Sequence, residues 1–148
     1  MQDQLTDHLD QQLQSTSLEN FSDYLKNLQQ LPSLQDFFSV YIAKHDLKIS
    51  QIIKNSGISQ SYAHVILNGT KPHPSRDYLL ALCLGAHMDL KTTQHALRTA
   101  QLGELYAKVP RDAAIMMHIN NKKWNLIDIN IFLEEHGLNV ISLSKKIS

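Results

Sequence analysis

The sequence is poor in cysteine, glycine and proline, and each shortage excludes a class of protein. A single cysteine, Cys83, in 148 residues excludes an internal disulfide framework and a cysteine-based zinc site, and is typical of a reducing compartment. Five glycines and four prolines are too few for a collagen-like chain or a disordered low-complexity chain. Because 43% of the residues are hydrophobic, the composition indicates a packed globular protein.

Long apolar runs and export signals are also lacking. No stretch approaches the roughly 18 consecutive apolar residues that indicate a membrane span. The opening sequence, MQDQLTDHLD, is acidic and does not have the basic-then-apolar order of a secretory signal. We therefore expect a cytoplasmic protein with no membrane partner.

The chain has no excess charge of either sign, but its charges are unevenly distributed. Fourteen basic and fourteen acidic residues cancel, so no overall basic field indicates a nucleic-acid partner. Residues 1–36 carry a net charge of −5, residues 43–76 carry +4, and the remainder after residue 76 carries +1. The middle segment is the only locally basic one, and attraction to phosphates requires such a patch.

The pattern of apolar residues predicts an all-α fold. Alternating β-branched runs are scarce, whereas apolar residues recur every three or four positions throughout. Side chains that cap helix starts, and glycines that end helices in the left-handed conformation, divide the pattern into segments. The predicted helices span 3–14, 17–30, 33–45, 49–56, 59–68, 76–87, 90–102, 111–121 and 126–136. The predicted caps are Ser33, Ser75, Asp89 and Asn125, and the predicted terminal glycines are Gly69, Gly103 and Gly137.

One stretch carries the functional signal. Residues 48–77, KISQIIKNSGISQSYAHVILNGTKPHPSRD, predict a short helix, a tight turn and a second short helix. Gly57 falls where the chain must turn sharply with positive φ, and Ile58 fills the turn. Ala63 allows the two helices to cross closely. This is the helix-turn-helix pattern, whose second helix enters the major groove of DNA.

The same stretch resembles the lambda-repressor-like class of regulators, the XRE family. The likeness lies in the pattern G-I-S-x-S-x-x-x-x-I-L-N-G from Gly57 to Gly69, and in the following helix, which begins after Ser75 and ends at Gly85. It extends over roughly residues 34–141 to Gram-positive XRE-like proteins that have a helical C-terminal extension. Further matching segments are 74–77, 110–113 and 133–138.

The resemblance implies a lambda-repressor-like five-helix DNA-binding core with additional helices at both ends. It predicts three segments: an acidic helical N-terminal extension at 1–32, a helix-turn-helix domain at 33–103, and a C-terminal helical hairpin for packing or dimerisation at 104–148. The implied function is sequence-specific transcriptional regulation, and the implied partner is double-stranded DNA, bound by a homodimer.

The resemblance also names the residues expected to contact DNA. The start and outer face of the 59–68 helix would contact bases, with Gln60 suited to adenine and Val65 to a thymine methyl group. Flanking residues would hold phosphates and fix the register. The predicted base contacts are Ser59, Gln60, Ser61, His64 and Val65. The predicted backbone contacts are Lys48, Lys54, Tyr62, Asn68, Thr70, Lys71 and Arg76.

A second interpretation comes from a different class of protein. The predicted reading helix contains no arginine or lysine, so the commonest guanine contact is missing. A protein-interaction module on the same scaffold would not need one. The C-terminal helices carry more isoleucine than one buried stripe requires, notably Ile127 and Ile131 beside Ile129, which favours a possible protein partner there.

No pattern of residues predicts a catalytic site, a metal site or a cofactor. The eight histidines show no paired metal-ligand spacing, and neither a paired-carboxylate site nor a glycine-rich phosphate loop is apparent. Cys83 falls on an apolar helix face, so we expect a buried core thiol. Trp124 is expected to hold the C-terminal hairpin or an interface in place. For the acidic N-terminal segment three roles are open: packing on its own domain, pairing with a second subunit, or covering the basic segment.

Overall fold

The computed structural model describes residues 4–29 and 31–143, and these residues form helices and no strand. The predicted all-α fold is therefore confirmed for this part of the chain. Residues 1–3, 30 and 144–148 lie outside the described part. The start of predicted helix 3–14, the end of predicted helix 17–30 and the end of predicted segment 104–148 are therefore not described. The helices are α1 Gln4–Ser15, α2 Phe21–Gln29, α3 Leu34–Lys44, α4 Ile49–Ser56, α5 Gln60–Leu67, α6 Arg76–Gly85, α7 Leu90–Thr99, α8 Pro110–Asn120 and α9 Leu126–Glu135.

The chain divides into two compact units, Met1–Leu31 and Pro32–Ser148. The first unit contains α1, a short 3₁₀ turn at Leu18–Asn20, and α2. None of its described side chains is buried, and Leu18 is 95% exposed. The second unit contains the predicted helix-turn-helix domain, 33–103, and the predicted C-terminal segment, 104–148, of which residues 104–143 are described.

The core of the second unit is built around α6. Its sequence YLLALCLG is apolar on all sides, as expected of a helix in a protein interior, and every residue of Tyr78–Gly85 is buried. Helices α4, α7 and α9 pack on α6. Helix α3 packs on both α5 and α7, and helix α8 packs on both α7 and α9. Cys83 is fully buried, and this burial raises the pKa of its thiol. The predicted core thiol is therefore confirmed.

Gly85 allows α4 and α6 to cross at very short range. A Cβ atom placed on Gly85 would lie 2.5 Å from the carbonyl oxygen of Ile52 and 2.9 Å from the backbone nitrogen of Ser56. Both neighbours are backbone atoms that cannot rotate away. The absence of a side chain at Gly85 therefore fixes how closely α4, the first helix of the helix-turn-helix segment, approaches the core.

The four predicted helix caps are confirmed, but one of the three predicted terminal glycines is wrong. The side chains of Ser33, Ser75, Asp89 and Asn125 all accept a backbone N–H at the start of their helices. Gly69 and Gly137 adopt positive φ as predicted. Gly103 does not end its helix, because α7 stops at Thr99 and Gln101 takes the left-handed conformation instead.

The chain after α9 is fastened to the core by polar contacts. Asn130 and Ile141 exchange two hydrogen bonds, from Ile141 N–H to the Asn130 side chain (2.8 Å) and from the Asn130 amide to the Ile141 carbonyl (3.3 Å). The Tyr78 hydroxyl donates to the Leu143 carbonyl. Trp124 donates its indole N–H to the Met88 carbonyl at 2.8 Å. The predicted role of Trp124 in holding the hairpin is thereby confirmed.

Candidate nucleic-acid interface

The turn between α4 and α5 is braced by a buried hydroxyl group. Ser56 is fully buried, and its Oγ donates to the Ile53 carbonyl (2.7 Å) and accepts from the Ile58 N–H (3.1 Å). Gly57 follows with φ +74°, and the Ile58 side chain fills the turn, both as predicted. The role of Ser56 was not foreseen, because serine near a helix end is too common to single out one buried residue.

Helix α5 has a buried face and a polar outer face. Ala63 and Ile66 are buried against the rest of the unit. The outer face lies in solvent, and Val65 at its margin is half-buried. Since neighbours three and four apart share a helix face, the outer side chains form one continuous surface. The exposed members are Ser59, Gln60, Ser61 and His64.

The loop after α5 is ordered by its own hydrogen bonds. The Asn68 side chain accepts the Thr70 N–H at 2.9 Å, and the Lys71 N–H donates to the Val65 carbonyl at 2.8 Å. Gly69 has φ +85°, and the Gln35 side chain occupies the space where its Cβ would lie. These contacts fold the chain back beside the end of α5.

Lys71 is held beside α5 by an aromatic pair. Its ammonium nitrogen lies 4.9 Å from the centre of the Tyr62 ring, which is within the range of a cation–π contact. The Tyr62 ring in turn packs on Tyr78, with the ring centres 4.5 Å apart. Tyr62 therefore packs on a neighbour, and its predicted contact to the DNA backbone stays a prediction.

Three lysines surround the helix-turn-helix segment with exposed side chains. Lys48 takes the N-cap position of α4 and forms no capping hydrogen bond through its side chain. Lys54 lies in the last turn of α4, and Lys71 follows α5. All three side chains are exposed, as binding to phosphate requires.

Arg76 has a structural role that the sequence did not indicate. Its guanidinium binds Asp112 through two hydrogen bonds of 2.9 and 2.8 Å, and it donates further to the carbonyls of Gly103 and Glu104. The Nε atom and both Nη atoms of the guanidinium donate hydrogen bonds within the protein. The group therefore ties α6 to α8 and to the loop between α7 and α8, and its predicted phosphate contact stays a prediction.

The charge of Asp112 is stabilised by these contacts. Asp112 is only 4% exposed. This burial acts to raise the pKa of its carboxyl group, but the hydrogen bonds from Arg76 and from the Tyr106 N–H, with the positive charges of Arg76 and Arg111, outweigh it and leave the pKa lowered. A second ion pair also joins the start of α6 to the start of α8, because Arg111 binds Asp77 at 3.0 Å.

The C-terminal part of the chain lies against the helix-turn-helix turn. A Cβ atom on Gly57 would lie 3.3 Å from the Leu126 side chain at the start of α9 and 3.4 Å from the Leu143 side chain. The Ser142 N–H donates to Asp77 at the start of α6. The C-terminal hairpin is thus packed directly onto the segment that carries α5. Nothing in the sequence spacing indicates this contact.

Among the described residues there is no group of three or more histidine, cysteine or acidic side chains that could hold a metal ion. Five described histidines instead pack on aromatic rings. His87 stacks on Trp124 at 4.7 Å, His118 and His136 both pack on Phe132, and His45 and His95 pack on Tyr41 and Phe37. No helix in the described part of the chain has the length and apolar character needed to cross a membrane.

Comparisons with family models, with curated proteins and with solved structures gave no match. A function must therefore be inferred from the residues and geometry of this chain.

Proposed function

We propose that the protein is a sequence-specific regulator of transcription that binds double-stranded DNA, as its resemblance to the XRE family implies. In this proposal α3–α7 are the five helices of a lambda-repressor-like core, and α5 enters the major groove. The protein acts in the cytoplasm as a two-fold dimer, without catalysis and without a cofactor.

The outer face of α5 is the observation that supports the proposal most directly. A reading helix must be fixed to its domain on one side and open to a duplex on the other. Ala63 and Ile66 provide the fixed side, while Gln60 and His64 are exposed. An α-helix with its side chains is about 10–12 Å across, and the major groove, about 12 Å wide, admits a helix of this diameter.

The residues have distinct roles in this proposal. Gln60 pairs with adenine through its amide, and Val65 packs on a thymine methyl group. Ser59, Ser61 and His64 complete the contacts to base edges, while Lys48, Lys54 and Lys71 neutralise phosphates. Asn68 and Thr70 contact the backbone from the loop after α5, where hydrogen bonds already hold that loop in place.

Selection of bound sequences from a random library of duplexes tests the proposal. We expect the full chain to enrich one motif, and to bind it at least about a thousandfold more tightly than a scrambled duplex in fluorescence polarisation. Failure to enrich any motif, or equal binding of both duplexes at two salt concentrations, would overturn DNA reading by this protein.

The second candidate is a protein-interaction module on the same scaffold. It is supported by the lack of any arginine or lysine in α5 and by the exposure of Ile127 and Ile131 on α9. In this case pooled genomic fragments show no binding in fluorescence polarisation at either of two salt concentrations. A DNA-binding regulator would bind them, so this measurement separates the two candidates.

A further inference from the structure

Helix α9 is apolar on two opposite faces. Ile129 and Leu133 are fully buried against the core. On the outer side Ile127 and Ile131 are 70% and 50% exposed. These two side chains are four positions apart and so lie one above the other on the helix, which makes a short, largely exposed apolar stripe.

Opposite charges stand at the two ends of this stripe. Lys122 and Lys123 precede α9, and Glu134 and Glu135 end it. Lys123, Ile127, Ile131 and Glu135 line a single groove of about 860 Å³. The stripe therefore runs from positive through apolar to negative along one open surface.

The order of these charges is unfavourable for the helix on its own. A helix dipole favours negative charge at the N-terminus and positive charge at the C-terminus. Asp128 follows this preference, but Lys122 and Lys123 near the start and Glu134 and Glu135 at the end oppose it. A neighbouring helix with the reverse order of charges would offset this effect.

We propose that α9 forms an antiparallel pair with α9 of a second copy of this chain. A two-fold axis on the outer side of α9, at the level of Ile129 along the helix, places Ile127 of one copy opposite the partner's Ile131. The same axis places Lys123 opposite the partner's Glu135. Each contact occurs twice, as in an isologous interface. The charge pattern selects this occupant, because the stripe is complementary to itself only when it is reversed.

The two charged residues cannot pair within one chain. They stand at opposite ends of a helix of 10 residues, which is about 15 Å long. Neither side chain forms an ion pair with another described residue. Any coupling measured between positions 123 and 135 therefore arises between copies.

The pairing rests on the dimer in the proposed function and names its surface. Leu126, at the start of α9, packs on Gly57 in the turn before α5. An interface on α9 therefore lies next to the proposed DNA-reading segment of both copies. Oligomeric state is measured without DNA, so failure of the pairing and failure of DNA binding are separate results.

Analytical ultracentrifugation of the full chain tests the apolar stripe. We expect the wild-type protein to be a dimer at micromolar concentration and the double variant Ile127→Asp/Ile131→Asp to be a monomer. Val40→Asp is the matched control, since Val40 is 67% exposed on α3 and does not line the groove. A monomeric wild-type protein, or a dimer unaffected by the double variant, would overturn the proposal.

A charge swap tests the antiparallel register. Lys123→Glu and Glu135→Lys each place like charges opposite each other twice, and we expect each to weaken the dimer about tenfold. The double variant Lys123→Glu/Glu135→Lys restores both pairs and should recover the wild-type dimer constant. Both positions are exposed, and circular dichroism verifies the fold of each variant. Recovery that is absent in the double variant rejects the register.

Discussion

Arg76 and Asp112, residues 36 positions apart, act as one unit in this fold. Their side chains meet through two hydrogen bonds, and the matching pair Arg111–Asp77 joins the same two helix starts in the opposite direction. Each helix thus begins with an arginine–aspartate doublet whose members bind the doublet of the other helix. Because removal of one partner leaves the other charge buried, such a pair is more sensitive than an exposed one.

Asp112→Asn should lower stability in a pH-dependent manner. At pH 7 we expect a loss of about 1–3 kcal/mol in the free energy of unfolding. The pKa of Asp112 is lowered in the folded protein, so its contribution is complete above the unfolded value of about 3.9 and is lost as pH falls through the folded value. Urea unfolding at several pH values should show wild type and variant converging below about pH 4. A gap that stays constant on acidification would contradict this.

Gln60→Ala tests base reading at a single position. We expect it to lose about 1–3 kcal/mol of binding to the selected duplex and to relax the preference at one base pair. The residue is exposed, so its removal leaves the core intact. Polarisation with the selected duplex and four single-base variants measures both effects. Equal losses on selected and random DNA would remove Gln60 from the reading role.

At the scale of elements, the crossing of α4 over α6 determines where the helix-turn-helix segment sits. Gly85 brings the two backbones together, and Ser56 lies at the same crossing while it braces the turn into α5. Helix α5 is therefore positioned by a contact between backbones, which leaves little room for adjustment.

Gly85→Ala should disrupt this crossing. Its Cβ would lie 2.5 Å from a backbone oxygen, and we expect a loss of about 3 kcal/mol as the helices separate. Gly103→Ala is the matched control, because nothing lies within 4 Å of its Cβ position. The control should stay within about 0.5 kcal/mol of wild type. Thermal unfolding measures both, and similar melting temperatures for the two variants would refute the close-contact account.

At the scale of the whole molecule, the proposed binding of DNA by a chain of zero net charge requires local positive charge. Among the residues predicted to contact phosphate, the cations Lys48, Lys54 and Lys71 have exposed side chains, whereas Arg76 is bound to Asp112. Affinity for DNA is therefore expected to depend on few cations and to fall only moderately with salt.

The salt dependence of binding is a quantitative prediction. With three phosphates neutralised, log K against log[salt] should have a slope of about −2.7 per subunit. Lys71→Ala should reduce its magnitude by about 0.9, whereas Lys91→Ala, at an exposed lysine on α7, should leave it unchanged. A slope that does not respond to Lys71 would remove this residue from the phosphate contacts.

Local features of this fold could be predicted from the sequence, and distant contacts could not. Apolar spacing and capping chemistry act within one or two turns, so the all-α character, the four caps and the two faces of α5 were predicted correctly, whereas predicted helix 17–30 is a 3₁₀ turn followed by α2 and the predicted ends at 87 and 102 were too late. The ion pair of Arg76 with Asp112 could not be predicted, because the two residues are 36 positions apart. The repeated arginine–aspartate doublets at 76–77 and 111–112 were the available signal. The close crossing at Gly85 and the contact of Leu143 with Gly57 depend on tertiary packing, which the spacing of residues in the sequence does not encode.

Trp124, on which His87 stacks, is an intrinsic fluorescent probe of the C-terminal hairpin. The sequence contains one tryptophan, and its indole is bonded to the Met88 carbonyl where the hairpin meets the core. Intrinsic fluorescence therefore arises from this single junction. Emission that shifts to longer wavelength before the helical signal is lost would mean that the hairpin detaches first, and simultaneous changes would mean that core and hairpin melt as one.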